Sequence, residues 1–572
     1  MSRRLALLVS LMFLPACASG PSVIDRTLEG ARERAGLVST DEGFGDGASR
    51  IVYLDQGWNV PETLWFYHAD QGSVLLPYDT LVHLEQAESD KRFVAPENMS
   101  KYRFLNQHKT PNNPDSLPVG FARHGDKVGF TCAACHTAQI NYRGTAMRID
   151  GAPALADVTG FLQAIEKSLG ATLADEAKLA RYAAAVPGGG RDAAHVEAAK
   201  KSLGDTLAWF EGYNKVNHSS TREGYGRLDA IGRIINQVIR FTSDPKNSLE
   251  PNAPTSYPLL WDAPRHDYVQ WTAFSPNSGA GSLGRNAGEV VGAFGQVEVK
   301  KYTTEDEAKK GYPSTIEADG LVSMEETLRG LKSPRWPEDI LPPIDRARAS
   351  RGETLYQSNC ASCHALLDRN DPKRKVIAMV YATDVVGTDA TSASNLSGAI
   401  VPTGILEGAI SPKGETYGKT APGLAMLADL ATRTVSAKPI AALKAITNAK
   451  RFGIEETPKQ GNYHKAKDAS SLDEFRSYKA RPLNGAWASS PFLHNGSVPS
   501  LYDLLLPAAQ RPKKFAVGRW EYDAKKVGYV SEGEVPFVYD TTMTGNGNGG
   551  HEYGTALTDE ERWDLVEYLK TL

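Results

Sequence analysis

A five-residue pattern, two cysteines three positions apart with a histidine directly after the second, occurs twice in this chain. It reads CAACH at 132–136 and CASCH at 360–364. The pattern is typical of covalent haem c attachment, because each thiol can add to one porphyrin vinyl group and the histidine then ligates the iron. We therefore predict two haem c groups, bound by these residues: Cys132, Cys135, His136, Cys360, Cys363 and His364.

Other uses of a CxxC pair are a disulfide or half of a zinc site. Two such pairs could in principle form one all-thiolate zinc site. The histidine after each pair disfavours this alternative, as does the gap between the pairs, which is far longer than a zinc ribbon uses. The fifth cysteine, Cys17, lies in the leader, so none remains for a disulfide.

Chain length and net charge limit the size of the fold and the kinds of partner that we expect. The 572 residues suffice for two or three domains with a sizeable core. The net charge of −4 provides no global positive field for nucleic acid or an anionic membrane, so we expect no nucleic-acid partner.

The N-terminus has the pattern of an export signal. A basic segment precedes the apolar run 5–14, which is too short to span a bilayer, and LPAC at 14–17 resembles a bacterial lipobox. We predict a lipoprotein-type signal peptide at residues 1–17, a tether at 18–50 and an outer-membrane lipoprotein, whose membrane contact is the lipid anchor. Proline is less usual in a lipobox, so cleavage near Ala18 and a periplasmic or secreted protein is the alternative. Haem c attachment, which takes place outside the bacterial cytoplasm, agrees with export.

The second half predicts a small cytochrome c domain. A helix with Gly352 and Tyr356 on one face leads into the second motif, and the chain ends in a helix whose Thr558 and Glu561 form a capping box. Such domains close where their first and last helices cross at glycine–aromatic contacts.

The domain prediction follows from these patterns. We expect a mainly α fold with two cytochrome c-like haem domains, long loops and decorations. The first haem domain, which is the catalytic one, covers residues 51–343 and lacks the amphipathic helix that usually precedes a small cytochrome haem. The second covers residues 344–572.

Several segments carry a family resemblance. PRWPEDI, RPLNGAWASSPFLHNGSVPSLYDLL, GRNAGEVVGAF and the final helix resemble the bacterial di-haem cytochrome c peroxidase superfamily. DQGSVLLPYDTLVHLEQ, LLWDAPRHDYVQW and GNGNGGHEYG look most like its branch of rubber oxygenase and di-haem fatty-acid dioxygenases. The resemblance implies a di-haem oxidoreductase and is much less specific for substrate. A bridging calcium ion is a further possible cofactor.

The second haem needs a sixth ligand if it transfers electrons. His551, between glycines in the loop before the last helix, is our first candidate, and Met543 is the runner-up. His494 is the other candidate metal ligand, although the resemblance implies that it is a structural neighbour. Tyr553 is a weaker option, because one member of the superfamily uses a tyrosine ligand to oxidise a partner protein's tryptophan.

The first haem is where we expect the chemistry. No histidine follows CAACH closely, only Met147 is a nearby alternative ligand, and His108 and His124 upstream stay open. We therefore expect an iron with one free face and a mostly apolar pocket. The predicted catalytic residues are Phe294, Ala230 and Ile231, from pocket segments 230–234 and 293–294, together with Trp271 from the loop region 257–295. Glu289 is a candidate base, more simply a solvated carboxylate, and Trp261, Trp271 and Trp336 are candidates for an inter-haem relay.

Three functions follow from this reasoning. The first is oxygenation by dioxygen of an apolar, unsaturated small molecule or polymer, with the second haem serving electron transfer. The second is reduction of hydrogen peroxide, with electrons from a small periplasmic donor protein. The third is a non-enzymatic electron carrier or redox sensor with both irons six-coordinate.

Overall fold

The computed structural model describes residues 48–463, 475–535 and 537–572. The predicted signal peptide, nearly all of the tether and Cys17 lie outside these ranges. Helices make up 39% and strands 15% of the structure, so the mainly α prediction is confirmed. In the described ranges no helix combines the length and apolarity needed to cross a bilayer.

The helices are distributed along the whole described chain. In order they are α1 Val60–His68, α2 Tyr78–His83, α3 Pro96–Lys101, α4 Val158–Ala174, α5 Glu176–Ala185, α6 Ala193–Val216, α7 Ala230–Thr242, α8 Gly281–Gly292, α9 Glu305–Ala308, α10 Ala318–Leu328, α11 Arg346–Asn359, α12 Thr383–Val386, α13 Thr391–Gly398, α14 Gly423–Ser436, α15 Pro439–Arg451, α16 Leu501–Leu504 and α17 Asp559–Thr571.

The strands are short and form small separate sheets. In order they are β1 Arg50–Tyr53, β2 Leu76–Pro77, β3 Phe121–His124, β4 Lys127–Phe130, β5 Thr137–Tyr142, β6 Thr145–Asp150, β7 Arg227–Leu228, β8 Thr255–Ser256, β9 Tyr268–Val269, β10 Ser275–Pro276, β11 Met379–Ala382, β12 Ile400–Pro402, β13 Thr420–Pro422, β14 Gln460–Asn462, β15 Ser477–Ala480, β16 Lys514–Val517, β17 Tyr522–Asp523, β18 Gly528–Tyr529 and β19 Phe537–Asp540. The three-stranded sheets are β1-β6-β5, β2-β4-β3 and β14-β11-β15.

One hydrophobic core contains residues from both halves of the chain. Tyr53 and Met147 belong to it from the first half, and Tyr356, Trp487 and Leu565 belong to it from the second. Backbone hydrogen bonds also join the halves, as where the Asn141 amide donates to the Trp520 carbonyl at 2.7 Å. The halves are therefore packed together along a shared interior.

The first and last helices of the second half cross as predicted. α11 and α17 pack at Gly352, where a Cβ atom would collide with the Asp564 carbonyl oxygen and lie 2.8 Å from the Tyr568 Cβ. The Tyr356 and Tyr568 rings lie 5.2 Å apart, and the Thr558–Glu561 capping box is present.

Helix α8 separates a core from a cleft. Its apolar residues at Leu283, Ala287 and Val290–Val291 recur at helical spacing and pack into a core shared with α7, α10 and α14. Arg285 and Glu289, one helical turn apart, line the cleft described below.

Candidate haem sites

Both CxxCH motifs form the same tight turn. The His136 amide donates to the Cys132 carbonyl at 3.0 Å, and the His364 amide donates to the Cys360 carbonyl at 2.8 Å. The secondary structure that precedes the two motifs differs. The second motif follows α11 directly, whereas the first follows β4 and a short 3-10 turn, Cys132–Ala134, capped by Thr131.

The cysteines fit thioether bonds better than zinc or disulfides. All four are unpaired, and among the described residues no metal-ligating cluster includes any of them. Burial raises the pKa of Cys132 and of Cys135 to about 12, and that of Cys360 to about 11. Within the described residues the four cysteines are therefore neither joined in disulfides nor gathered into one all-thiolate cluster.

The second site brings two imidazoles close together, with their planes inclined by 55°. The ring centroids of His364 and His551 lie 6.2 Å apart. Two histidines on opposite sides of one iron need about this separation, since each iron–nitrogen bond is about 2 Å long. Burial, followed by the neighbouring His364, lowers the pKa of His551 to about 3, so its ring is neutral and able to ligate at neutral pH.

A second set of contacts orients these two rings. The His364 Nδ1 atom donates to the Arg481 carbonyl at 2.7 Å, the usual role of a backbone carbonyl behind a ligating histidine. His551 has a φ of +47° and donates its amide to the Val386 carbonyl at 2.8 Å. The buried Arg511 guanidinium donates to the carbonyls of Asn548, Gly550 and His551 at 2.7–3.1 Å.

The other candidate ligands of the second haem lie elsewhere. The His494 ring stacks on Tyr478 at 4.0 Å and is buried, with a pKa lowered to about 4 by that burial. Met543 is 40% exposed. Tyr553 packs edge-on against His551 at 5.3 Å, beside the candidate ligand and not opposite His364. This placement supports His551 over the three alternatives.

The first site is a cleft containing about 740 Å³ of space free of protein atoms, part of it open to solvent. Burial lowers the pKa of His136 to about 4, opposed by the nearby Pro258 carbonyl. The lining side chains are Cys132, His136, Pro258, Leu259, Leu260, Ala263, His266, Val269, Gln270, Trp271, Arg285, Asn286, Glu289, Met324, Glu325, Leu328, Lys479 and Arg481.

The lining corrects the expectation of a pocket built mostly from apolar residues 230–234 and 293–294. Trp271 lines the cleft as predicted, but Phe294, Ala230 and Ile231 do not. Phe294 lies in an aromatic core against Phe130, and α7 packs its apolar face into the core shared with α8. Those apolar patterns therefore mark interior packing, whereas the cleft also contains charged side chains.

Glu289 faces the cleft from α8. Its carboxylate accepts a hydrogen bond from Gln270 at 2.5 Å, and Arg285 lies 3.9 Å away. The side chain is 38% exposed, but it borders the cleft, and its burial from bulk water raises its pKa. Arg285 itself pairs with the buried Glu325. Glu289 therefore lies on a helix and not in a loop, and its part-exposed carboxylate has a hydrogen-bond partner.

On another wall of the cleft the cations Lys479 and Arg481 lie beside the neutral His266 ring. The Lys479 ammonium donates to the His266 Nδ1 atom at 3.1 Å and to the Tyr268 carbonyl at 2.9 Å. Burial, then Arg481, lowers the pKa of Lys479. Arg481 donates to the Leu259 carbonyl at 3.1 Å, and its buried Nε atom has no hydrogen-bond partner. No single stretch of sequence signals this cluster.

The remaining candidates are accounted for by other contacts. Met147 is fully buried in the main core, and His124 bonds to Asp70 through Nδ1 at 2.7 Å. Trp261 and Trp336 also pack in the main core, which is the default role of a buried indole. His124, Asp70 and Glu317 form a cluster of possible metal ligands, but an imidazole is not a typical calcium ligand. Calcium stays a prediction.

Within the described residues, no histidine ring stands opposite His136 as His551 stands opposite His364. The ring contact recorded for His136 is with Tyr257, at 6.2 Å. His266 and Met324 line the same cleft without such a contact. The two sites therefore differ in the protein ligands that they offer.

Comparison with known proteins gives the family. Uncharacterized protein y4iJ of Sinorhizobium fredii (strain NBRC 101917 / NGR234) is 30% identical over 592 aligned positions, covering 91% of this chain and 93% of that protein. The chain belongs to the y4iJ family. Uncharacterized protein y4iM of the same organism is 27% identical over 360 positions, covering 57% of this chain and 67% of that protein.

A family described as RoxA-like, cytochrome c-like matches residues 477–516. The matched segment begins with β15 and contains Lys479, Arg481 and His494. The match supports the haem and cytochrome c family, and with it the binding of haem c by a redox protein. The segment borders both candidate sites, because Arg481 contacts His364 and lines the cleft of His136.

Proposed function

We propose that this protein is a di-haem c-type oxidoreductase in which the first haem activates dioxygen to oxygenate an apolar, unsaturated substrate and the second transfers electrons. One observation supports this division most directly. His364 has a second imidazole at 6.2 Å on the opposite side, whereas His136 has none among the described residues. An iron with one protein ligand keeps a face for a reactant, and an iron with two does not.

The residues of the second site favour electron transfer. His364 and His551 are both half-buried, and the Arg481 carbonyl and the Arg511 guanidinium contact their rings and backbone. A rigid pair of ligands changes little between oxidation states, so little reorganisation accompanies electron uptake. Bis-histidine ligation also gives a lower reduction potential than His–Met ligation would.

The side chains of the first cleft would bind and orient the substrate. Haem c attached to Cys132 and Cys135 supplies an iron that can bind dioxygen or peroxide. Leu259, Val269 and Leu328 offer apolar surface for a hydrocarbon chain, and Trp271 is held by its indole nitrogen, which donates to the Ser256 carbonyl at 2.8 Å. These side chains exclude water from the part of the cleft where such a chain would lie.

Oxygen uptake tests the dioxygenase directly. Purified holoprotein is incubated with oleate or with polyisoprene in an oxygen-electrode cell, without added peroxide. We expect substrate-dependent oxygen consumption and oxygenated products by mass spectrometry. A His136→Ala variant serves as the control that lacks the axial imidazole. Absence of oxygen consumption with every apolar unsaturated substrate would count against this function.

A peroxidase is the second candidate, and Glu289 favours it. Peroxide cleavage benefits from an acid–base group near the oxygens, and a buried carboxyl of raised pKa in the cleft can hold or release a proton. The donor would be a small periplasmic electron-transfer protein. Rapid oxidation of a reduced small cytochrome by peroxide, without oxygen uptake and lost in Glu289→Gln, would support this candidate over the dioxygenase.

A plain electron carrier or redox sensor is the non-enzymatic alternative. It requires both irons to be six-coordinate with protein ligands. An EPR spectrum of the resting protein decides this, because the proposed asymmetry gives one low-spin and one high-spin ferric signal. Two low-spin signals would remove both enzymatic functions.

We also propose that the protein is exported from the cytoplasm. Thioether attachment occurs outside the bacterial cytoplasm, and the leader at residues 1–17 fits an outer-membrane lipoprotein or a periplasmic protein. Palmitate labelling of wild-type protein and of Cys17→Ser separates these two locations.

A further inference from the structure

Two cations in the first cleft lack an anionic partner. Lys479 donates to the neutral acceptors His266 Nδ1 and Tyr268 carbonyl, at 3.1 and 2.9 Å. Arg481 donates to the carbonyls of Leu259 and Trp261 at 3.1 and 3.3 Å. In the described part of the chain, neither side chain forms an ion pair, although both border the cleft.

Arg285, the third cation of the cleft, differs from Lys479 and Arg481 because it forms an ion pair. Arg285 pairs with Glu325, and Glu289 is also near it, at 3.9 Å. Arg285 therefore has a carboxylate in direct contact. Among the described residues, Lys479 and Arg481 have only the carboxylates of Asp267 and Asp262 nearby, without an ion pair to either. The Arg481 Nε atom is buried and has no hydrogen-bond partner.

Buried charges without partners are costly, which suggests that an anion completes this cluster when the protein carries its ligands. A guanidinium matches a carboxylate in shape and charge, and an ammonium adds a second donor. The cluster borders the same cleft as Cys132 and His136, within which a haem at the first motif would lie.

We infer that Lys479 and Arg481 form a carboxylate-binding site in the first cleft. Its carboxylate comes from a propionate of the first haem or from a soluble carboxylic acid that enters beside it. The first source rests on the proposed function, since it requires haem at Cys132 and Cys135. The chemistry is the same for both sources.

Arg481 also connects this site with the second one. Its backbone carbonyl accepts the hydrogen bond from the His364 Nδ1 atom, while its guanidinium lines the cleft of His136. A carboxylate bound by the guanidinium would therefore be held by the same residue whose carbonyl contacts the His364 ring. Arg481 is a positioning residue for both sites.

The test uses holoprotein and compares Lys479→Gln and Arg481→Gln with two controls. Arg481→Lys keeps the charge, and Lys310→Gln makes the same change as Lys479→Gln at an exposed position. Peptide mass spectrometry first establishes haem at both motifs. A spectroelectrochemical titration then measures the midpoint potential of each haem. In a second arm, decanoate or uncharged decanol is added while the Soret band is recorded.

A propionate source predicts that both Gln variants lower the potential of the first haem, because an uncompensated carboxylate favours the ferric state. Arg481→Lys should recover part of the shift, and Lys310→Gln should show none. A soluble source predicts that decanoate, but not decanol, moves the Soret band of wild-type protein and that both Gln variants abolish the effect.

The failures are distinguishable. Unchanged potentials together with the absence of a decanoate response, in protein with haem at both motifs, would overturn the carboxylate site and leave the proposed function intact. Absence of haem from Cys132 and Cys135 would overturn the proposed function and the propionate source, and binding of decanoate but not decanol, measured by isothermal titration calorimetry, would then decide the inference.

Discussion

His551 holds a backbone conformation that non-glycine residues seldom adopt. Its φ of +47° is in the left-handed region, and conformations of this kind cost of order 1–3 kcal/mol when the surroundings impose them. The cost is offset by the Val386 and Arg511 contacts, and the result is a ring aimed at His364. Strain at a residue without another evident role supports its assignment as a ligand.

This conformation makes His551→Gly a clean test, because glycine tolerates positive φ and removes only the imidazole. We predict conversion of the low-spin ferric signal to high spin, restored by added imidazole, with folding unchanged. EPR and far-UV circular dichroism provide the measurements. Retention of the low-spin signal in His551→Gly would assign the sixth ligand to another residue.

His494 predicts a specific pH dependence of stability. Its pKa is about 4 in the folded protein, below the ordinary value of 6.5, so between these values the unfolded chain binds a proton that the folded chain excludes. The free energy of unfolding therefore decreases as the pH falls through this range. In wild type, this ring should lower the free energy of unfolding by about 2 kcal/mol between pH 7 and pH 5. We expect that part of the decrease to be absent from His494→Asn.

Urea unfolding at the two pH values measures this difference. The exposed His218→Asn just after α6 is the matched control and should leave the pH dependence close to that of wild type. An equal loss in His494→Asn and wild type would show that this ring does not exclude the proton.

Among the elements, the crossing of α11 and α17 depends on a missing side chain. A Cβ atom at Gly352 would collide with the Asp564 carbonyl, and a backbone atom cannot move aside as a flexible side chain can. We predict that Gly352→Ala destabilises the protein by about 1–3 kcal/mol. Gly204→Ala inside α6, where nothing lies within 4 Å, should instead stabilise it by up to about 1 kcal/mol. Equal effects in denaturant titrations would contradict the crossing.

The loop that carries His551 should depend on one arginine. Arg511 donates to three carbonyls at Asn548, Gly550 and His551, and lysine cannot span all of them with one ammonium. We predict a mixture of low-spin and high-spin iron in Arg511→Lys, with the high-spin fraction increasing on warming. Arg519→Lys, which alters a contact with the Glu534 carbonyl, should leave the spectrum unchanged.

For the whole molecule, the shared core predicts joint unfolding of the two halves. Buried Arg227 donates to the Asn546 side chain at 2.8 Å and to the Asn495 carbonyl, which links the chain's distant segments. We expect thermal unfolding followed in the Soret region, in the far ultraviolet and by tryptophan fluorescence to share one midpoint. Separate midpoints would indicate halves that fold independently.

The sequence predicts this molecule best where function depends on local spacing. The CxxCH turns and the capping box at Thr558 depend on residues close together in the chain. The crossing at Gly352 depends on a steric rule, since two helices can approach closely only where a residue has no Cβ atom. The lining of the first cleft could not be predicted, because it joins residues 258–271, 285–289, 324–328 and 479–481. The apolar segments around Ala230 and Phe294 carry the same pattern whether they face a pocket or a core.

The depth of Cys132 and Cys135 has a consequence for how the protein is made. Both cysteines are only partly exposed, and the strand containing Lys479 lines the cleft beside them from almost 350 positions further along the chain. We therefore expect cofactor insertion at the first motif to be fastest before that late-synthesised segment docks.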